Sequence, residues 1–418
     1  MIDSYYGQKD IIEYRATWQL YNMTTKTSWN DDVAYAMTPL KLLTLPLGIW
    51  PLQEYDIFSL VRSIVCGIGM TAMMITLFLE LNFGSGDGYI KVDDRLMIMV
   101  CNVLAILKLL SFRLYADNLT RNYSSAVNDY HAIDTEEKHT IMRRHAYMGR
   151  MICYSTLFFA YLASTIVMLV PMIADNKNVQ VNVSIKNQAL ELPVPLTLLE
   201  DLDMPTSLFW LMSTMQYVIL IITCTSNCGN DSLFLAITLH ICGQMEILKI
   251  KLFNYGVKSK DIDEDFSVLA SRHHYLIEHV ELLEDTISFV LLVQMLFSSI
   301  LICLMGFELI LALKHHDVVM ITKTTTALSS FLLQLFFYSF VGDYLQYQME
   351  EVAYSIFSCN WYNLPSKLMK NVLFVIVRSQ QPVQLLAGRF FAVNIKTYMT
   401  ILKSSLSYLS VLRVMMDA

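Results

Sequence analysis

Residues 286–312 read TISFVLLVQMLFSSILICLMGFELILA, a run of 27 residues with Glu308 as its single ionisable side chain. About 20 apolar residues are enough to cross the hydrocarbon core of a bilayer as a helix. The apolarity is continuous rather than alternating in ten-residue units, so the run reads as a spanning helix and not as a barrel strand. Runs of the same kind recur at about 56–81, 96–115, 147–174, 206–230, 322–345 and 386–416. The expected fold is therefore an all-α membrane protein of seven transmembrane helices.

Composition agrees. Of 418 residues, 55% are hydrophobic and 16% charged, against roughly 45–50% and about 25% in soluble domains. The formal net charge of −7 gives no sign of nucleic acid as a partner; in a membrane protein the side on which charge lies matters more than its sum. The eight cysteines lie in apolar runs or in loops placed inside, which excludes a disulfide scaffold. The opening stretch MIDSYYGQKDIIEYR has no apolar core of a cleaved signal, so the first span is expected to direct its own insertion.

Basic residues set the orientation. The segments before span one (Lys9, Arg15, Lys26, Lys41), after span two (Arg113, Arg121, Lys138, Arg143, Arg144, Arg150), after span four (Lys249, Lys251, Lys258, Lys260, Arg272) and after span six (Lys367, Lys370, Arg378) outnumber the alternate loops about three to one. By the positive-inside rule the N-terminus is cytoplasmic and the C-terminus extracellular. Among the sequons, Asn182-Val-Ser alone falls in a loop read as external, which makes Asn182 the candidate glycosylation site. Residues 39–53 are apolar but interrupted by Pro46 and Pro51, and suit an interfacial or re-entrant segment better than a span.

Span four continues without a clear breaker from Pro205 to Leu252, and helix-compatible sequence covers Tyr344–Phe357 and Ser366–Arg378. These stretches predict an intracellular bundle of helix extensions. The chain divides into a cytoplasmic N-terminal segment (1–55), spans one to six with those extensions (56–345), an intracellular anchor region (346–385) and a last helix (386–418). The anchor carries Tyr354, Phe357, Trp361 and Tyr362, aromatics of the kind enriched where large surfaces bind.

No phosphate loop, HExxH or GxSxG element occurs, and no enzyme activity or cofactor is expected. Cys224 and Cys228 share a helix face without a third metal ligand at suitable spacing, which favours two small core residues. His273, His274 and His279 lie in a charged stretch and read as a solvated face. Arg62, Glu80 and Glu308 sit near span ends, where they can snorkel or pair. Lys108 is more central and must face another helix or water.

In the last span Arg389, Lys396 and Lys403 recur every seven residues, which places them on one face drifting by about 20° per heptad. The face continues through Ser407 and Ser410 to an apolar end, with Val411, Val414 and Met415 close by. Such a stripe suits a pore lining closed by an apolar gate, or equally a polar face turned towards other helices.

These residues resemble the insect odorant receptor family over nearly the whole chain. The short element Leu47-Gly48-Ile49-Trp50-Pro51 precedes the first span. Gly342, Tyr354, Trp361, Arg378-Ser-Gln-Gln-Pro382, Ala387-Gly388-Arg389-Phe390 and Ser407-Tyr408-Leu409-Ser410-Val411-Leu412 follow the family's order and spacing. The resemblance implies an odorant-gated, non-selective cation channel subunit at the plasma membrane of sensory neurons, working in a heterotetramer with an olfactory co-receptor. The short loop after span four implies the odour-tuned subunit. For the volatile ligand it implies an outer cavity among spans two to six. The matching stretches hold Met97, Ser164, Met168, Trp210, Ser213, Tyr217, Phe307, Thr325 and Ser329. Rival readings fit less well. A gustatory-type channel would end in Thr-Tyr followed by Gln-Phe, a G protein-coupled receptor would have the opposite topology, and a transporter would show an internal repeat.

Overall fold

The computed structural model describes residues 31–83, 89–181, 206–255 and 262–417, with side chains at 89–94, 170–181, 206, 412 and 414–417 outside the description. The described chain is almost entirely helical: α1 (Asp31–Thr44), α2 (Ile57–Phe83), α3 (Tyr89–Leu114), α4 (Ala116–His131), α5 (Glu136–Val181), α6 (Thr206–Phe253), α7 (Ile262–His315), α8 (Val318–Phe357), a 3-10 turn (Trp361–Asn363), α9 (Ser366–Ser379), a hairpin of β1 (Leu386–Ala387) and β2 (Phe391–Ala392), and α10 (Ile395–Asp417). Helices α2, α3, α5, α6, α7 and α8 are each long and apolar enough to cross a membrane. The seventh, α10, is more polar and carries Lys396 and Lys403.

Helix starts are fixed by side chains that satisfy the first unpaired N–H groups. Asp56 accepts from Ser59 N at 2.8 Å, Asp317 from Val319 N at 3.0 Å and Met320 N at 3.2 Å, and Asn394 from Thr397 N at 2.9 Å. Helix α6 runs 48 residues and α7 runs 54, roughly 70–80 Å of rise against about 30 Å of hydrocarbon. Both project far beyond any membrane. With α4, the end of α8 and α9, their extensions form a bundle, here termed the anchor end.

Two corrections to the sequence reading follow. The last span does not begin at 386, because 386–392 fold as the hairpin and Asn394 caps the helix only afterwards. His273 and His279 do not lie on a solvated face: they are 4% and 2% exposed, whereas His274 is exposed.

Close backbone approaches explain several residues singled out in the sequence. Gly48 has φ +72°, and a Cβ there would lie 2.3 Å from the Ser59 carbonyl oxygen. Around it, Ser63 donates to Leu47 O at 2.8 Å, Arg113 to Gly48 O at 3.0 Å and Arg62 to Leu45 O at 2.6 Å. Trp50 is buried against Tyr123, ring centroids 5.6 Å apart. The element 47–51 is thus a turn latched to the start of α2 and the end of α3. At the other end of the chain, a Cβ on Gly342 of α8 would lie 2.1 Å from Val393 O.

Candidate ligand and pore sites

The far end of the bundle, opposite the anchor, carries the residues expected to face a small ligand. Met97 on α3 is buried. Ser164 on α5 is buried, donates to Ala160 O at 2.8 Å and lies 2.9 Å from Cys224 Sγ on α6. Tyr217 on α6 is half-buried, its hydroxyl 3.5 Å from Thr165 of α5. Ser213 is fully buried with no hydrogen-bond partner among the described residues. Met168, Phe307 and Ser329 are half-buried, and Ser329 donates within α8 to Thr325 O.

Two expected residues are turned away from the single chain. Trp210 is 49% exposed and Thr325 is exposed. In the first turns of α6 the buried positions are Phe209, Ser213 and Gln216, an i, i+4, i+7 set that keeps Ser213 and replaces Trp210 and Tyr217 by the residue before each. On α8 the buried hydroxyl is Thr324, whose Oγ1 has no partner among the described residues. Helical spacing was the available signal, but on a helix apolar all round it does not say which face turns inward.

Lys108 finds its partner midway down the bundle. Its Nζ lies 2.6 Å from Asp231 Oδ1 of α6, with both side chains almost fully buried. Tyr338 and Gln334 of α8 donate to the same carboxylate, and Gln294 of α7 donates to Gln334 Oε1 at 3.1 Å. One charged pair therefore ties α3, α6, α7 and α8. Nearer the far end, Arg95 and Glu80 make a second buried pair at 3.2 Å.

The last helix is different. Its Tyr398 packs edge-on to Phe336, centroids 5.8 Å apart. Ser405 is buried, and Leu409 sits so close to Gly306 of α7 that a Cβ there would meet it at 2.6 Å. The opposite face, with Lys396, Lys403, Ser407, Ser410 and Val411, is exposed. Val414 and Met415 lie on the same helix. Arg389 does not share this face. It occupies the hairpin turn with φ 64° and bridges Asp285 of α7 at 3.0 Å, so the basic stripe reduces to Lys396 and Lys403.

At the anchor end Tyr354 and Tyr362 are exposed, and half-buried Trp361 donates to Phe357 O at 3.1 Å. Leu373, Phe374 and Val377 of α9 are also exposed. Burial lifts the Asp129 carboxyl, but hydrogen bonds from His240 and Arg272 hold it below its ordinary value. Burial pushes both His273 and His279 down to about 4. A cavity of about 30 Å³ lies between α1, α4, α5 and α6, lined by residues that include Tyr130, His145 and His240. That is room for about two waters, not for an odorant. Asn182 lies outside the described residues.

Among the described residues, six membrane-length helices and one exposed, more polar helix mark a polytopic membrane protein. The family model for the 7tm Odorant receptor matches residues 91–406. Odorant receptor 10 of Aedes albopictus is 22% identical over 379 residues, spanning 89% of this chain and 97% of that protein. Odorant receptor 13a of Drosophila melanogaster is 25% identical over 242 residues, 53% of this chain and 57% of that protein. The insect olfactory receptor OR5 from Machilis hrabei, solved in complex with eugenol, superposes with a TM-score of 0.74 at 13% identity, covering 92% of this chain and all of that one. The chain belongs to the 7tm Odorant receptor family and has its seven-helix fold, a fold of receptor and channel proteins rather than enzymes.

Proposed function

We propose that the chain is the odour-tuned subunit of an odorant-gated, non-selective cation channel. It assembles with an olfactory co-receptor as a heterotetramer in the plasma membrane of sensory neurons, N-terminus cytoplasmic and C-terminus extracellular. The observation that carries this reading is the exposed face of α10. A helix bearing Lys396, Lys403, Ser407, Ser410 and Val411 on an uncovered side is poorly suited to lipid, and well suited to a wet path closed by an apolar ring from several subunits. The hydroxyls of Thr400, Ser404 and Ser410 already donate to carbonyls of the same helix, so they can line water without needing another helix.

The odorant lies in the far half, against the apolar surface around Met97, Ser164, Met168, Ser213, Tyr217, Phe307 and Ser329. The unpartnered Ser213 hydroxyl fixes its orientation. Trp210 and Thr325 sit at the rim. The aromatic anchor surface of Tyr354, Trp361 and Tyr362 docks on the neighbouring subunit. Expression with a co-receptor under voltage clamp, with an odour panel, tests the reading; absence of odour-evoked current with every co-receptor would remove its basis. Tags at residue 1 and after Ala418 should be reached by antibody only after permeabilisation and in intact cells, respectively. Ser213→Ala should shift the half-maximal odour concentration several-fold, in line with about 1 kcal/mol for one hydrogen bond.

A further inference from the structure

The α1/α5 corner holds two guanidiniums with no acidic partner among the described residues. Arg150 lies 4.1 Å and Arg143 5.0 Å from the centre of the Tyr35 ring. Arg150 also donates to Tyr35 O at 3.1 Å and to the Tyr154 hydroxyl at 3.1 Å. Arg143 is exposed and makes no hydrogen bond or ion pair among the described residues. Two carboxylates that pair with α5 are engaged by its other side chains, Asp32 by His139 at 3.0 Å and Glu246 by Arg144. Two cations held within reach of one ring repel each other unless an anion lies between them.

The surface running away from this pair shows which anion. From Arg143 the exposed face of α5 continues through Tyr147, Met151, Tyr154, Phe158 and Leu162, all more than a third exposed. Their spacing of three or four residues keeps them on one side of the helix. Along α5 the order is Arg143, Tyr147, Arg150, Met151, Tyr154, Phe158 and Leu162, a basic and tyrosine-bearing stretch that gives way to apolar side chains, as headgroup and interface give way to acyl chain along a membrane normal. Tyr147 and Tyr154 mark the interface, with Arg143 on its polar side and Arg150 between the two tyrosines, level with the interface.

We propose that Arg143 and Arg150, pre-set by Tyr35, form a binding site for the phosphate of an anionic phospholipid, with its acyl chains lying on the Met151, Phe158 and Leu162 face. Guanidinium suits the task because its planar fork pairs with two phosphate oxygens at once. The same lipid would clamp α1 against α5, since Tyr35 belongs to one helix and both arginines to the other. The site rests on membrane immersion of α5, not on which leaflet it faces, so it can fail independently of the channel reading and of the topology.

The test uses the purified full chain in neutral detergent, with thermal unfolding followed against added dioctanoyl phosphatidic acid, dioctanoyl phosphatidylcholine and inorganic phosphate. Phosphatidic acid should raise the unfolding temperature at concentrations where the other two do nothing. Arg143→Gln should weaken that stabilisation about fivefold, equivalent to roughly 1 kcal/mol for one basic residue at an anionic lipid surface. Because Arg143 makes no hydrogen bond and only an exposed contact with the Tyr35 ring, this variant should unfold close to the parent temperature without lipid. Arg150→Gln, which also loses the Tyr35 staple, should weaken binding further. Arg121→Gln, an exposed arginine paired with Glu278 at 2.6 Å, should respond as the parent does. Equal stabilisation by inorganic phosphate would make the ligand a soluble anion, and an unchanged response in Arg143→Gln would place the lipid elsewhere; either result overturns the proposal.

Discussion

Lys108 and Lys403 both lie on helices of the seven-helix fold, yet their surroundings are opposite. Lys108 is enclosed by α3, α6 and α8, with Asp231 at 2.6 Å and that carboxylate further held by Tyr338 and Gln334. Lys403 is exposed and makes no ion pair among the described residues. A buried charge is tolerated when a partner offsets the cost of desolvation, and here that partner comes from the same chain. An exposed charge on a membrane helix instead indicates water or another subunit. The central bundle thus pairs its buried charge within the chain, whereas the charge on α10 has no ion-pair partner among the described residues.

The comparison breaks most readily at its buried side. Asp231→Ala leaves Lys108 uncompensated and should cost about 3–5 kcal/mol, seen as loss of a monodisperse peak and a lowered unfolding temperature in detergent. Adding Lys108→Met should restore most of the loss. If the double variant is as unstable as the single one, the pair is not what makes the position sensitive.

A smaller effect is expected where α8 meets the segment before α10. Gly342→Ala puts a methyl 2.1 Å from the Val393 carbonyl oxygen, and the forced shift should cost about 1–3 kcal/mol. Gly67→Ala, whose new Cβ would find its nearest neighbour 4.0 Å away, is the control and should leave unfolding unchanged. Parent-like stability of both would mean that the α8/α10 junction yields freely.

The anchor end should weaken in acid. His273 and His279 are held near 4 by burial, below the ordinary value near 6.5. The unfolded chain therefore takes up protons first as pH falls. Stability is fully present above about pH 6.5 and is lost from there down towards pH 4, on the order of 1 kcal/mol per pH unit for each histidine. Hydrogen exchange over 262–285 measures it, and His273→Phe should flatten the profile; protection independent of pH across that window would show the two rings to be hydrated.

The smallest change in stability belongs to the exposed face of α10. Val411→Ser and Lys403→Gln should each stay within about 0.5 kcal/mol of the parent in the isolated chain; on the channel reading proposed above, the first should raise basal current and the second should alter ion selectivity. Unfolding shifts as large as those of the central bundle would mean that α10 is supported within the chain and is not waiting for neighbours.

Much of the architecture was legible because hydrophobic length is a local property. The spans, the continuation of α6 to Phe253 and the helices ending at Phe357 and Ser379 each follow from runs without breakers. The need of Lys108 for a partner was legible too, but not its identity, since Asp231 lies 123 positions further along the chain. Helical faces were the weak point. Trp210 and Thr325 were expected to face the ligand; in the single chain both are exposed, and Phe209 and Thr324 are their buried neighbours. Arg389 matched a seven-residue spacing whose first member turned out to lie in a hairpin.

By itself, then, the sequence determined that the chain crosses a membrane repeatedly as helices, and through its ordered short elements which family it belongs to, because both are written in stretches shorter than one helix. Only the tertiary structure decided which face of each helix is buried, which carboxylate answers Lys108, and that Gly48 and Gly342 are sites of backbone contact. On helices apolar around their whole circumference, rotation about the axis costs little until a neighbour is in place. Burial and pairing are therefore set by contacts between segments far apart in the chain.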